Sequence, residues 1–221
     1  MTQILLVRHG SNDYTQTNRL AGWTPDVHLS EQGQAEAEAV AQRLKDAPIT
    51  QLYASPLDRT METAQAICRQ KPNLTIQQID GIGEVDYGDW QGEKISTLAQ
   101  RKMWQVVQEY PSRAYFPNGE SMRAAQVRIV NALEELARRH PRETVAVVSH
   151  ADLIKMALAH YLGMHLDNFQ RIVVSTASIS VLILGFGRPY VVTMNDMAHL
   201  AALERERHEK KAKSDSQDAA N

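Results

Sequence analysis

Arg8, His9 and Gly10 stand directly behind the apolar run Ile4-Leu5-Leu6-Val7. Such a run followed by a glycine reads as a buried strand with a sharp turn, which leaves an arginine and a histidine at its end. A neutral imidazole there can attack phosphorus through one ring nitrogen while the other donates the hydrogen bond that fixes the ring. The neighbouring guanidinium offers several fixed donors to oxygens of the same phosphoryl group. So short a tripeptide fits a surface Arg-His pair equally well, and further signals have to come from elsewhere in the chain.

Two other strand ends carry comparable residues. Ser55-Pro56-Leu57-Asp58 is a helix-start pattern, with Ser55 as cap, Pro56 in the first turn and Asp58 completing a reciprocal cap. It puts Arg59 near free backbone N–H groups, where both can gather around an anion. Val145-Ala146-Val147-Val148 reads as a second buried strand and runs into Ser149-His150; Ser149 and Asp152 are spaced to cap a helix that reaches about Leu162 and closes at Gly163. Taken singly, Arg59 also fits a solvated helix residue and His150 a structural buried histidine. A parallel sheet would bring all three strand ends to one edge. The stretch Glu84 to Gly92 has too many glycines and acidic groups for a core element and reads as an active-site loop.

The elements that must position these residues follow from periodicity. A helix starts at Ser30 with Ala35, Ala39, Val40 and Leu44 on its apolar stripe; strands are expected over 51–55 and 74–79, and helices over roughly 93–109 and 119–139. Segment 11–30 reads as one long loop. Strands over 179–184 and 190–194, joined by a turn at Gly185 and Gly187, are expected to be antiparallel. The alternation predicts an α/β fold, a three-layer α/β/α sandwich around a mixed, mostly parallel sheet. Residues 1–200 are expected to form a single domain, and 201–221 a polar tail that is frayed or disordered.

The 221 residues are 43% hydrophobic and 23% charged, with a formal net charge of -2. That suffices for one substantial core and gives no electrostatic argument for nucleic acid or an anionic membrane as partner. There is no apolar run of membrane-spanning length and no secretory pattern at the start, and Cys68 is the only cysteine, so a cytoplasmic location is expected. The eight histidines form no HExxH array, which makes a zinc hydrolase the poorer enzyme reading. Apolar residues in the late strands leave homodimer formation open.

Several separated motifs agree on one resemblance. Arg8-His9-Gly10, Asn18-Arg19-Leu20-Ala21-Gly22-Trp23, Leu29-Ser30-Glu31-Gln32-Gly33, Ser55-Pro56-Leu57-Asp58-Arg59-Thr60, Glu84 with Tyr87-Gly88, and Ser149-His150 occur in the order seen in the histidine phosphatase superfamily, which includes the cofactor-dependent phosphoglycerate mutases. The resemblance spans approximately residues 3–195. It implies a phosphoglycerate mutase-like fold and a phosphohistidine mechanism with His9 as nucleophile. Arg8 and Arg59 would bind phosphate, His150 would be the second pocket histidine, and Glu84 the proton donor, with Asp86 the alternative two positions on. Ser11, Asn12, Thr15, Ala21 and Gly22 would line the phosphate site; Thr15 stands where the family commonly has asparagine, and Ala151 where glycine is frequent. Neither a metal nor another cofactor is implied, and the partner would be a small phosphorylated metabolite.

Hydrolysis is expected over phosphomutase activity, because 84–121 lacks the longer insertion and paired basic residues those mutases place over a second phosphate. A noncatalytic phosphate-binding protein is the alternative outside the enzymes. Tyr14, Trp23, Tyr87, Trp90 and Trp104 read either as a substrate wall or as core anchors.

Overall fold

The computed structural model of the protein describes residues 1–201, 203 and 205. The rest of the expected tail lies outside the described residues. Six strands, β1 (Thr2–Arg8), β2 (Ile49–Ala54), β3 (Ile76–Gln78), β4 (Thr144–Ser149), β5 (Ile179–Leu184) and β6 (Tyr190–Asp196), form one sheet in the order β3-β2-β4-β1-β5-β6. β1, β2, β3 and β4 pair in parallel, whereas β5 runs antiparallel to both β1 and β6. The sheet is therefore mixed and mostly parallel, as the sequence pattern predicts.

Ile4, Leu5, Leu6 and Val7 are all buried because both faces of β1 are covered. Leu5 and Val7 pack with residues of α2 (Glu31–Leu44) and α3 (Asp58–Gln70), among them Val40, Leu44, Ala64 and Ile67. Ile4 and Leu6 pack on the opposite face with Ile129 and Leu133 of α6 (Met122–Arg139) and Leu153 and Ala157 of α7 (Ala151–Tyr161). Among the described residues no helix is long and apolar enough to cross a membrane.

Several local expectations change. The loop 11–30 contains a one-turn helix, α1 (Asp13–Gln16), because Asn12 and Thr15 cap one another reciprocally. The strand expected over 74–79 narrows to β3, an edge strand paired only with β2. The region 93–109 divides into α4 (Ile95–Leu98) and α5 (Lys102–Glu109), the first turn closing through Gln100 and Arg101 N–H bonds to the Thr97 and Leu98 carbonyls. Neither predicted reciprocal cap forms. Leu57 precedes α3 and His150 precedes α7 without a side-chain cap, since the hydroxyls of Ser55 and Ser149 are engaged by His150 and the Ile82 carbonyl.

Ser30 does cap α2, its hydroxyl accepting from the Gly33 N–H at 3.2 Å. Gly33 is required for a different reason: a Cβ there would be driven into the Ser11 carbonyl, so only glycine lets α2 close on the turn that follows His9. Gly33→Ala should lower the unfolding free energy by about 1–3 kcal/mol, read as a lower denaturant midpoint, although alanine in an open helix would raise stability. An unchanged or higher midpoint would show that this close approach is not required.

Candidate active site

Parallel pairing sets Arg8 opposite Ser149, so the next residues on the two strands, His9 and His150, emerge side by side with ring centroids 5.2 Å apart. Ser55 joins this edge through its N–H bond to the Val148 carbonyl at 3.1 Å. β1 sends its chain to the α2 face and β4 to the α7 face, which opens a crevice between their carboxyl ends.

His9 is almost fully buried, and its Nδ1–H donates to the Gly10 carbonyl at 2.8 Å. A carbonyl can only accept, so this bond places the proton on Nδ1 and the lone pair on Nε2. Among the described residues no hydrogen bond engages Nε2. Burial first, then the positive charges of Arg59 and Arg8, push the His9 pKa well below the usual histidine range. The ring is therefore neutral and carries a free lone pair.

Arg59 leaves α3 with 1% of its surface exposed; its Nη2 donates to the Gly22 carbonyl at 2.7 Å and to His150 Nδ1 at 3.3 Å. Because Nδ1 accepts, the His150 proton lies on Nε2 and goes to Ser55 Oγ at 2.8 Å. Burial is the first cause holding His150 well below its ordinary pKa, with Arg59 next. Arg8 reaches the Val174 carbonyl through Nη1 at 2.8 Å. Desolvation lowers the pKa of both guanidinium groups, so each is short of the hydration a cation prefers.

Among the described residues six buried side-chain polar atoms lack a hydrogen-bond partner, and four of them are Arg8 Nε, Asn12 Nδ2, Arg59 Nε and Arg59 Nη1. All four belong to residues lining one cavity of about 400 Å³. The assignment of Asn12 is fixed, because its Oδ1 accepts from the Thr15 N–H at 3.0 Å. Buried donors without partners are costly unless a ligand completes them. An anion with several acceptor oxygens is the complementary group.

Glu84 lines the same cavity, its Oε1 accepting from the Val85 N–H at 2.9 Å and its Oε2 standing 3.9 Å from His150 Nδ1. Burial first and Asp152 second push its pKa up to about 7, against the opposing pull of Arg59, the Val85 N–H and Arg8. Asp152 in turn accepts from the Tyr87 hydroxyl at 2.9 Å and from Lys155 at 3.2 Å. Asp86 does not line the cavity; its carboxylate accepts from the Gly88 N–H at 3.0 Å. A carboxyl that is half protonated near neutrality can both give and take a proton.

Thr15, Ala21 and Gly22 also line the cavity. Thr15 donates to the Asn12 carbonyl at 2.7 Å, and Gly22, at φ +53°, turns its carbonyl to Arg59. Ser11 and His150 stand behind the cavity wall. Ser11 gives its N–H and hydroxyl to Glu36 at 2.8 and 2.9 Å. Glu36 is a support that no sequence signal links to the site, and Ser55, read in the sequence only as a helix cap ahead of Arg59, instead supports His150 from 95 residues away. Of the aromatic candidates, Tyr14, Tyr87, Trp90 and Trp104 line the cavity, while Trp23 instead donates to the Glu84 carbonyl at 2.6 Å.

The far wall is apolar, formed by Leu20, Trp90, Ile95, Trp104, Val107 and Phe116. Arg19 stands over the Tyr14 ring at 5.1 Å, and Lys155 is engaged by Asp152 and Gln170, each at 3.2 Å. Asp26, His28 and Asp58 bring one ligand atom each within 4.8 Å of one another, but none of the three lines this cavity.

Residues 4–197 match the profile of the family described as "Histidine phosphatase superfamily (branch 1)". The chain is 32% identical over 213 residues to "Phosphoserine phosphatase 1" of Hydrogenobacter thermophilus, covering 94% of this chain and 99% of that protein. It is 32% identical over 162 residues to the "2,3-bisphosphoglycerate-dependent phosphoglycerate mutase" of Bartonella bacilliformis, covering 69% and 77%. The structure of "Bacillus stearothermophilus YhfR" superposes with a TM-score of 0.85 at 25% identity, over 90% of this chain and all of that one.

The raised Glu84 carboxyl predicts a stability signature. Between its ordinary 4.5 and the folded value of about 7, the folded chain holds a proton that the unfolded chain has lost, so stability falls as pH rises through this window. Glu84→Gln, neutral at every pH, should melt above the parent at about pH 8, with the gap closing toward about pH 5. Melting curves giving a gap independent of pH would contradict the raised carboxyl.

Proposed function

Because the chain belongs to the histidine phosphatase superfamily (branch 1), we propose that it hydrolyses a small phosphate monoester through a phosphohistidine formed on His9 Nε2. The observation that carries this reading is the set of four unpartnered buried donors on Arg8, Asn12 and Arg59 beside the unengaged His9 nitrogen. Residues 1–200 form the catalytic domain in this proposal.

His9 Nε2 attacks phosphorus in line, and the bond from phosphorus to the leaving oxygen breaks. Arg8, Arg59 and the Asn12 amide hold the three equatorial oxygens, where charge accumulates in the transition state. Glu84, protonated, gives its proton to the departing alkoxide. The carboxylate so formed takes a proton from water as that water attacks the phosphohistidine, which releases inorganic phosphate and restores the starting state. His150 accepts from Arg59 through Nδ1 and holds that guanidinium in place, so it acts on the phosphoryl group through Arg59. Gly22 acts through its carbonyl on Arg59. Thr15 keeps the Asn12 oxygen occupied, so that the amide N–H faces the anion, and Ser11 with Glu36 braces the turn after His9. The two guanidinium groups supply the positive charge that a metal ion supplies in other phosphatases, which supports a metal-independent reaction.

The relative that is a phosphoserine phosphatase supports hydrolysis. So does the engagement of Lys155 by Asp152, which leaves little free positive charge to receive a second phosphate. Transfer to another position of the product is the competing reading, favoured by Arg19 at the far end of the cavity and by the phosphoglycerate mutase relative. A screen of phosphorylated metabolites without added metal, reading inorganic phosphate and positional isomers together, separates the two.

Incubation with substrate should leave acid-labile phosphate on the parent and none on His9→Ala. Binding without this label would make the protein a phosphate receptor rather than an enzyme. Arg59→Ala should keep the fold and lose roughly 100- to 1000-fold in turnover, the scale seen when one transition-state donor is removed. Turnover at the parent rate would remove Arg59 from the proposed chemistry.

A further inference from the structure

The segment Asp80 to Glu84 carries the acid into the cavity, yet it belongs to no strand and contains only the single 3-10 turn Asp80–Ile82. Its carbonyls have no ladder to satisfy them, and backbone groups removed from water need partners. The Gly83 N–H donates to the Asp80 carbonyl at 2.9 Å and Trp23 Nε1–H to the Glu84 carbonyl at 2.6 Å, and side chains from distant elements supply the rest. Arg128 of α6 donates through Nη1 to the carbonyls of Asp80 at 3.1 Å, Gly81 at 3.1 Å and Gly83 at 2.9 Å. Through Nη2 it reaches the Glu84 carbonyl at 3.1 Å. Ser149 Oγ donates to the remaining carbonyl, that of Ile82, at 2.7 Å.

The other edge of the guanidinium is fixed by Glu120, with Nη2 at 2.6 Å from Oε1 and Nε at 3.4 Å from Oε2. Glu120 Oε1 also accepts from the Asp86 N–H at 3.0 Å. Arg128 and Glu120 therefore hold the acid loop on both sides of Glu84, although neither lines the cavity. With side-chain exposures of 24% and 20%, the pair is shielded far more than an ordinary surface ion pair. Its planar fork meets four carbonyls and a carboxylate at once, which a single ammonium group cannot reproduce.

We propose that Arg128 is a positioning residue for the proton-transfer step: it fixes the backbone that carries Glu84, and so sets the Glu84 carboxyl at the leaving-group oxygen. This rests on the reading of Glu84 as the acid. Loss of Arg128 should matter in proportion to how much the leaving group needs a proton. Small displacements of a reacting group are expensive, on the order of 100-fold for an ångström.

The test compares kcat and KM for an alkyl phosphomonoester turned over by the parent and for 4-nitrophenyl phosphate, whose leaving group needs little protonation. The enzymes are the parent, Arg128→Ala, Arg128→Lys, Glu84→Gln and the Glu84→Gln/Arg128→Ala double variant. The comparison is made throughout in kcat/KM, which covers the steps through phosphoryl transfer to His9 and leaves out the hydrolysis both esters share. Arg128→Ala should lose about 100-fold on the alkyl ester and only a few-fold on the aryl ester. Arg128→Lys should fall between, and in the Glu84→Gln background loss of Arg128 should add no further discrimination between the substrates. Equal losses of Arg128→Ala on both esters, or discrimination that multiplies in the double variant, would overturn the positioning role. If Glu84→Gln itself loses equally on both esters, the acid assignment fails and the Arg128 proposal falls with it. Should Arg128→Ala not fold, Arg128→Lys and Glu120→Gln carry the same comparison.

Discussion

Everything at the site depends on the parallel register of β1 against β4. Pairing of Arg8 with Ser149 makes His9 and His150 successive exits from one sheet edge, and the Ser55 N–H bond to Val148 brings the end of β2 to the same edge. No side-chain contact is needed to bring these residues together, since ladder hydrogen bonds buried between two helical layers do so. A slip of one residue would turn Leu5 and Val7 toward the layer that receives Ile4 and Leu6 and would part the two histidines. Fold stability and site geometry are thus held by the same bonds.

The edge so formed is electrostatically unfinished. Two desolvated guanidinium groups and a buried amide retain donors without acceptors, while the carboxyl beside them is pushed toward its neutral form. Each condition costs folding free energy, and together they describe a pocket organised for a charge it does not itself contain. The surrounding hydrogen bonds resist the two simplest escapes. Gly22 and His150 keep Arg59 from turning away, and the Gly10 carbonyl keeps the His9 ring from presenting its N–H to the cavity.

Much of this was legible in the sequence wherever a short apolar run ended in a reactive residue. Ile4 to Val7 before Arg8-His9, and Val145 to Val148 before Ser149-His150, announce both a buried strand and what lies at its end. The mixed sheet was legible in the same way, from the turn between the late strands. Local rules failed where a side chain had a better partner far away. Ser55 and Ser149 have the spacing of helix caps, but their hydroxyls are engaged by His150 and the Ile82 carbonyl, contacts that close only in three dimensions. Arg128 was silent for a related reason: on α6 it looks like any exposed-face arginine, and only the folded loop brings four carbonyls within its reach. Glu84 is preferred over Asp86 in the sequence through the family resemblance alone; the physical difference is that Asp86 is tied to the Gly88 N–H while Glu84 lines the cavity.

The cavity is built by two sources that share little of the chain. Its anion end comes from strand termini, the turns after them and the loop bearing Glu84, whereas Ile95, Trp104, Val107 and Phe116 of the far wall belong to a stretch that contributes no strand to the sheet. Drift in that stretch can reshape the far wall without disturbing the pairing that aligns the histidines. Substitutions from α4 to the start of α6 can therefore change which leaving group fits while the phosphoryl chemistry at the strand ends and at Glu84 stays intact.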